Sequence, residues 1–191
     1  MRALVLSLLI GSLFLSGCNS SSETDTTKSG DSTTKQKAGS RGTIGVSLLT
    51  LQNPFFKVIG DTITAEAKKH GYDTIVLSAD NDAAKQSDQV QNFIVQKVSA
   101  IVLSPYETRA IVPSIQAANE AGIPVITVDI PCYEAGVEIL TQVATDNYSG
   151  GKKAGEAMIE ALGDRNSPKI AILKMESTES CRLREKGFEE V

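Results

Sequence analysis

Residues able to do chemistry fall at two places in this 191-residue chain. The first is Leu51-Gln52-Asn53-Pro54-Phe55-Phe56, where an apolar run at 43–49 gives way to an amphipathic stretch. Pro54 suits the first position of a helix and Asn53 can cap it. Local geometry does not account for Phe55 and Phe56. Two adjacent rings, among only five phenylalanines, cannot both lie on one helical stripe. An outward ring at a loop-to-helix junction is a stacking surface for the flat apolar face of a sugar or a similar ring. One ring in the core and the other as a half-exposed staple is an equally simple reading, and the residues leave both open. The second place is Asp129, directly after the apolar run at 124–128. A carboxylate at the end of a buried strand accepts hydrogen bonds from two vicinal hydroxyls, which is how a neutral polyol is held; it could equally cap the next element.

The other polar clusters have local explanations. Asp80-Asn81-Asp82 precedes an amphipathic run and reads as a helix N-cap cluster. Ser104-Pro105-Tyr106-Glu107 reads as a turn. The single histidine, His70, follows Lys68-Lys69 and precedes Gly71, a place where a helix end favours positive charge, so no metal site is built on it. Cys132 and Cys181 are too few for a disulfide framework and read as two unrelated thiols. With no nucleophile and base together and no phosphate-cradling glycine loop, the chain reads as a binding protein with no catalytic residues and no cofactor. The formal charge of −4 and the scattered basic residues speak against nucleic acid as a partner.

The elements that must position Phe55 and Asp129 follow from the hydrophobic period. Runs at 43–49, 74–77, 100–103, 124–128 and 139–144 predict strands, nearly continuous in apolar residues as buried parallel strands are. Stretches at 54–70, 83–97 and 110–121 predict helices, with Gly71 and Gly122 where C-caps belong and Pro113 in a first turn. Strand and helix alternating through short connections predict an α/β fold: three layers, a parallel sheet with helices on both faces. Ligands in such sheets bind outside the carboxyl ends of the strands, where both candidate places fall.

Ahead of this domain, Arg2 precedes an apolar run at 3–15, too short for a stable membrane span and laid out as an export signal. It ends in Leu15-Ser16-Gly17-Cys18, which resembles the bacterial lipobox and implies cleavage before Cys18 and lipid attachment to it. Residues 19–42 are almost all polar and cannot bury enough surface to fold. Some 24 flexible residues span about 25 to 30 Å on average, which makes this segment a tether. The organisation expected is a lipoprotein leader at 1–18, a tether at 19–42 and a domain of about 150 residues, exported and lipid-anchored at the cell envelope, in the periplasm or on the outer face of the cytoplasmic membrane.

Taken in order, Thr50 to Phe56, Ala79-Asp80-Asn81-Asp82, Gly122-Ile123-Pro124-Val125-Ile126-Thr127-Val128-Asp129, Ala144-Thr145-Asp146-Asn147 and Gly150-Gly151-Lys152-Lys153-Ala154-Gly155 resemble the ribose-binding branch of the type I periplasmic binding proteins. That family shares its two-lobed fold with LacI-type repressors. The resemblance covers residues 43–191 and implies a first lobe at 43–145 and the beginning of a second at 146–191. It implies the substrate-binding component of an ABC sugar importer, docking on a membrane permease, or a sensory relative that serves a chemoreceptor or histidine kinase. Asn53 would match a hydrogen-bonding asparagine, Phe55 and Phe56 the aromatics that sandwich the sugar, and Asp129 the acidic residue on its hydroxyls. Arg182 would match a second-lobe arginine on the sugar; without the family, Arg182 and Arg184 read as solvated helix charges.

Two departures modify these expectations. Ribose binders follow the acidic residue with an arginine, whereas Ile130 stands here and supplies no donor fork, which points from ribose itself toward a related pentose, hexose or other polyol. The second lobe is also expected to be cut short. Past Asp146 the pattern gives a helix at 148–162, a strand at 169–174 and the start of a further helix after Glu179. Closure of two lobes around a sugar is not expected of such a chain alone, and a remnant that binds nothing is a further reading. A repressor is excluded, because a leader and tether stand where a DNA-binding segment would.

Overall fold

The computed structural model describes residues 39–191. The expected leader with Cys18, and the tether up to residue 38, lie outside the described residues.

Four β-branched runs and a short fifth form a sheet: β1 (Thr43–Leu48), β2 (Asp73–Ser78), β3 (Ala100–Leu103), β4 (Val125–Val128) and β5 (Thr141–Val143). Every pairing is parallel and the order is β2-β1-β3-β4-β5. The register sets Leu48 opposite Ser78, Ser47 opposite Leu103, Leu103 opposite Thr127 and Val128 opposite Val143. The carboxyl ends of all five strands therefore share one edge.

Successive strand residues point to opposite faces, and helices cover both. On one face Ile101, Leu103 and Val125 pack with Val90 and Phe93 of α2 (Ala83–Val95) and with Ile115 of α3 (Val112–Glu120). On the other, Val46, Leu48 and Val102 pack with Phe56, Ile59 and Ile63 of α1 (Pro54–Lys69). Strands and helices fall within a few residues of the expected limits. α1 and α3 end as read: Gly71 and Gly122 take φ of +80° and +71°. The next amides, Tyr72 and Ile123, reach back to the Ala67 and Ala118 carbonyls at 3.0 and 2.9 Å.

One expected element does not form. Residues 169–174 carry the apolar content of a strand but run without regular structure, with Ile170, Ile172 and Leu173 open to solvent. A strand exists only as part of a ladder, and among the described residues none lies beside this segment. On either side of it stand α4 (Asn147–Leu162) and α5 (Glu179–Glu189), which pack on each other. Their crossing is a backbone contact. A Cβ on Gly151 would sit 2.1 Å from the Arg184 carbonyl oxygen, and one on Gly187 would sit 2.1 Å from that of Tyr148. Glycine at both positions is what lets the helices approach so closely. Among the described residues no helix is long and apolar enough to cross a membrane.

Candidate functional site

The candidate site lies along the carboxyl edge of the sheet, in the loops after β1, β3 and β4. Asn53 caps α1: its side-chain oxygen accepts the Phe55 backbone N–H at 3.0 Å, while the residue stays exposed. Pro54 occupies the first helical position, so the helix starts at a fixed angle. That start sends the two rings apart. Phe56 is 6% exposed and belongs to the cluster under α1, whereas Phe55 is 52% exposed. The rings meet edge to face, with centroids 5.2 Å apart and planes at 76°. The buried ring thus backs the open one.

Asp129 ends β4 in a constrained turn. Its φ is +64°, and the Ile130 N–H donates to the Val128 carbonyl at 2.7 Å, closing a γ-turn about Asp129. The Asp129 N–H donates to the Val143 carbonyl at 2.8 Å. Positive φ is uncommon for a residue with a side chain but is entered several-fold more often by Asp and Asn, and Asp80 and Asn81 share it here. Burial raises the Asp129 carboxyl above its ordinary pKa of 3.8, partly opposed by the positive charge of Arg184. Ile130 is buried in the same cluster as Phe56, so the open ring of Phe55 and the carboxyl of Asp129 both flank one packed group. Position 130 therefore serves the core. β3 lies between β1 and β4, which puts the two loops about two strand spacings, roughly 10 Å, apart.

Arg182 is not a solvated charge. Its Nε–H and one Nη2–H donate to Glu179, the former at 2.9 Å. Nη1 donates to the Glu176 carbonyl at 2.7 Å and Nη2 to the Thr108 hydroxyl at 2.9 Å. Glu134, in the loop after β4, lies 3.7 Å from Nη2. Arg182 thereby joins the start of α5 to the loops after β3 and β4. Arg184 is exposed, as read from the sequence, and it is the arginine whose charge reaches Asp129.

Other polar residues hold this edge in shape. Gln86 and Gln89 of α2 are buried. Gln89 accepts from the Ser47 hydroxyl at 2.7 Å and donates to the Ser78 carbonyl at 2.8 Å. Gln86 donates to the Ser104 carbonyl at 3.0 Å and accepts the Tyr106 N–H at 2.9 Å. Their spacing with Val90 and Phe93 puts both on the apolar stripe of α2, a sequence signal that the motifs at the strand ends overshadowed. Gln142 of β5 accepts from Thr127 and from the Cys132 N–H, at 3.1 and 2.7 Å. Ser104, expected to serve a turn, is fully buried with its hydroxyl unpartnered. Asp82 caps α2 through the Lys85 N–H at 3.0 Å, as read, and Cys132 and Cys181 are free.

Comparison with known proteins agrees with this architecture. The chain is 37% identical over 150 residues to the ribose import binding protein of Bacillus subtilis, covering 78% of this chain and 48% of that protein. It is 36% identical over 139 residues to a D-apiose import binding protein of Paraburkholderia graminis, covering 73% and 44%. Among solved structures, an ABC transporter solute binding protein from Mycobacterium smegmatis with bound glycerol superposes with a TM-score of 0.69 at 32% identity, over 78% of this chain and 51% of that one. The chain thus spans about half the length of the relatives it matches. Residues 44–191 match the model of the periplasmic binding protein domain. A parallel sheet of this order, helices on both faces, and these relatives place the chain in one family: it belongs to the periplasmic binding proteins.

Proposed function

We propose that the chain is the substrate-binding part of an ABC-type sugar importer and holds a pentose, hexose or related neutral polyol at the carboxyl edge of its sheet. The observation that carries this reading is the pairing of an open aromatic face, Phe55, with a carboxylate, Asp129, held in a tight turn at the same edge. A sugar has an apolar face to stack and vicinal hydroxyls to donate, which are the two demands that this pair meets. Asn53 adds amide donors at the helix start, Phe56 fixes the stacking ring, and Arg182 adds a donor from α5. The names of the ribose and D-apiose import binding proteins among the chain's relatives support the substrate class.

In this reading the domain is exported and tethered by a lipid on Cys18, with a membrane permease as its partner. Isothermal titration of the full chain with D-ribose, D-apiose, D-glucose and myo-inositol tests the binding. Saturable heat with one of them, lost in Asp129→Asn, is the expected result. A folded protein that takes up none of the four overturns it. Metabolic labelling with a fatty acid, expected in the wild type and lost in Cys18→Ala, tests the anchor.

A further inference from the structure

Four hydrogen bonds occupy the guanidinium of Arg182: two to Glu179, one to the Glu176 carbonyl and one to Thr108. A guanidinium has five N–H donors, so a single Nη1–H is left over. Most of the fork is therefore committed to the protein's own acceptors. Its partners come from three separate segments. Thr108, in the loop after β3, is fully buried, donates its own N–H to the Ser177 carbonyl at 3.2 Å and accepts Arg182 through its hydroxyl. Glu179 lies on α5 itself, one turn ahead, and Glu134 in the loop after β4 adds a second carboxylate, 3.7 Å from Nη2. Glu134 is itself steadied by Arg109 at 3.4 Å.

We propose that Thr108 and Glu134 are positioning residues that clasp Arg182, fixing the start of α5 against the sheet edge and presenting one N–H, not a two-pronged fork, to the bound polyol. The part of this inference that concerns the ligand rests on the sugar-binding reading above; the clasp itself does not. Loss of the Thr108 acceptor leaves one N–H of a part-buried guanidinium without its partner, which corresponds to roughly a tenfold change in a local opening equilibrium.

The experiment is hydrogen exchange on the full chain without sugar, read on peptides from 176–189, for the wild type, Thr108→Val, Thr108→Ser and Glu134→Gln. Thr108→Val removes, at nearly constant volume, the acceptor for Arg182 together with the hydroxyl's own donation to the Ser177 carbonyl at 3.5 Å, and should speed exchange there about tenfold, while Thr108→Ser, which keeps both, should stay within twofold. Glu134→Gln, on a part-exposed residue, should give a smaller rise confined to the same peptides. Thr108→Ser exchanging as fast as Thr108→Val shows a packing role for the methyl and overturns the clasp; so does Thr108→Val exchanging like the wild type. Arg182→Lys, which leaves the bond from Thr108 to the Ser177 carbonyl in place, is read beside these and stands alone should Thr108→Val not fold: a lysine lacks the fork and should reproduce the acceleration, and unchanged exchange overturns the proposal. Titration of the same set with D-ribose, D-apiose, D-glucose and myo-inositol gives the ligand arm, with affinity for the sugar that the wild type takes up about tenfold weaker in Thr108→Val and restored in Thr108→Ser. Absence of binding in the wild type counts against the sugar reading, and the clasp is then decided by exchange alone.

Discussion

Replacing Phe55 and Phe56 separately by alanine should split stability from binding, because the two rings differ in burial, 52% against 6% exposed, and in little else. Burying a whole phenylalanine side chain contributes about 1.5 to 3 kcal/mol by transfer, and truncation inside a core adds a cavity term that brings Phe→Ala to about 3 to 5 kcal/mol. Phe56, in the cluster with Leu48 and Ile130, should cost an amount in that range. Phe55 keeps about half of the transfer term and opens no closed cavity, so its loss should cost about 1 kcal/mol. The edge-to-face contact at 5.2 Å disappears in both variants and cancels in the comparison. Urea unfolding reads the difference: at about 1 to 3 kcal/mol per molar, the midpoint of Phe56→Ala should lie about 1 M or more below that of Phe55→Ala. Sugar titration should show the reverse order, with Phe55→Ala losing affinity at least about tenfold and Phe55→Tyr, which keeps a stacking face, staying near the wild type. Equal unfolding costs, or a Phe55→Ala variant that binds as the wild type does, would refute the division of labour between the rings.

Gln86→Leu should destabilise the domain by about 2 to 4 kcal/mol in urea unfolding, because it strips partners from the Ser104 carbonyl and the Tyr106 N–H at once. Asp82→Ala should cost about 1 kcal/mol in the same assay through loss of the α2 cap, with sugar binding unchanged. Asp129→Asn tolerates the positive φ and should remove sugar binding. Its stability relative to the wild type should change with pH. The Asp129 carboxyl is raised in the folded state, so the fold holds its proton longer than the unfolded chain and the favourable contribution is present at acid pH. It is lost as pH rises from about 3.8 through the folded value, and thermal unfolding across pH 3 to 7 should show the asparagine variant gaining on the wild type in that direction.

The sheet and its helices were legible because their determinants are local. β-branched runs, Pro54 and Pro113 in first turns and glycines after α1 and α3 each act within a few residues, and the structure puts strands and caps where those residues stand. The strand expected at 169–174 failed because its apolar content speaks only of propensity, while a ladder needs a neighbour that no local pattern supplies. The place of the candidate site followed from topology. The inner workings did not: Arg182 reads as one more charge on a polar helix until Thr108, 74 residues earlier, is brought within 2.9 Å of it. Ser104 likewise looked like a turn residue, since burial at a strand end depends on what α2 lays over it.

The glycine contacts divide into two kinds with different evolutionary futures. At Gly45 the obstacle to a side chain is the ring of Phe93, 2.6 Å from where a Cβ would stand. A ring can be exchanged, so an alanine at 45 has a route to suppression by a smaller residue at 93. At Gly151 and Gly187 the obstacle is the carbonyl oxygen of the facing helix, which every amino acid carries. No second-site substitution in the partner helix can clear it. Both positions should stay invariant in any selection for a folded α4–α5 pair, while 45 and 93 are free to drift together.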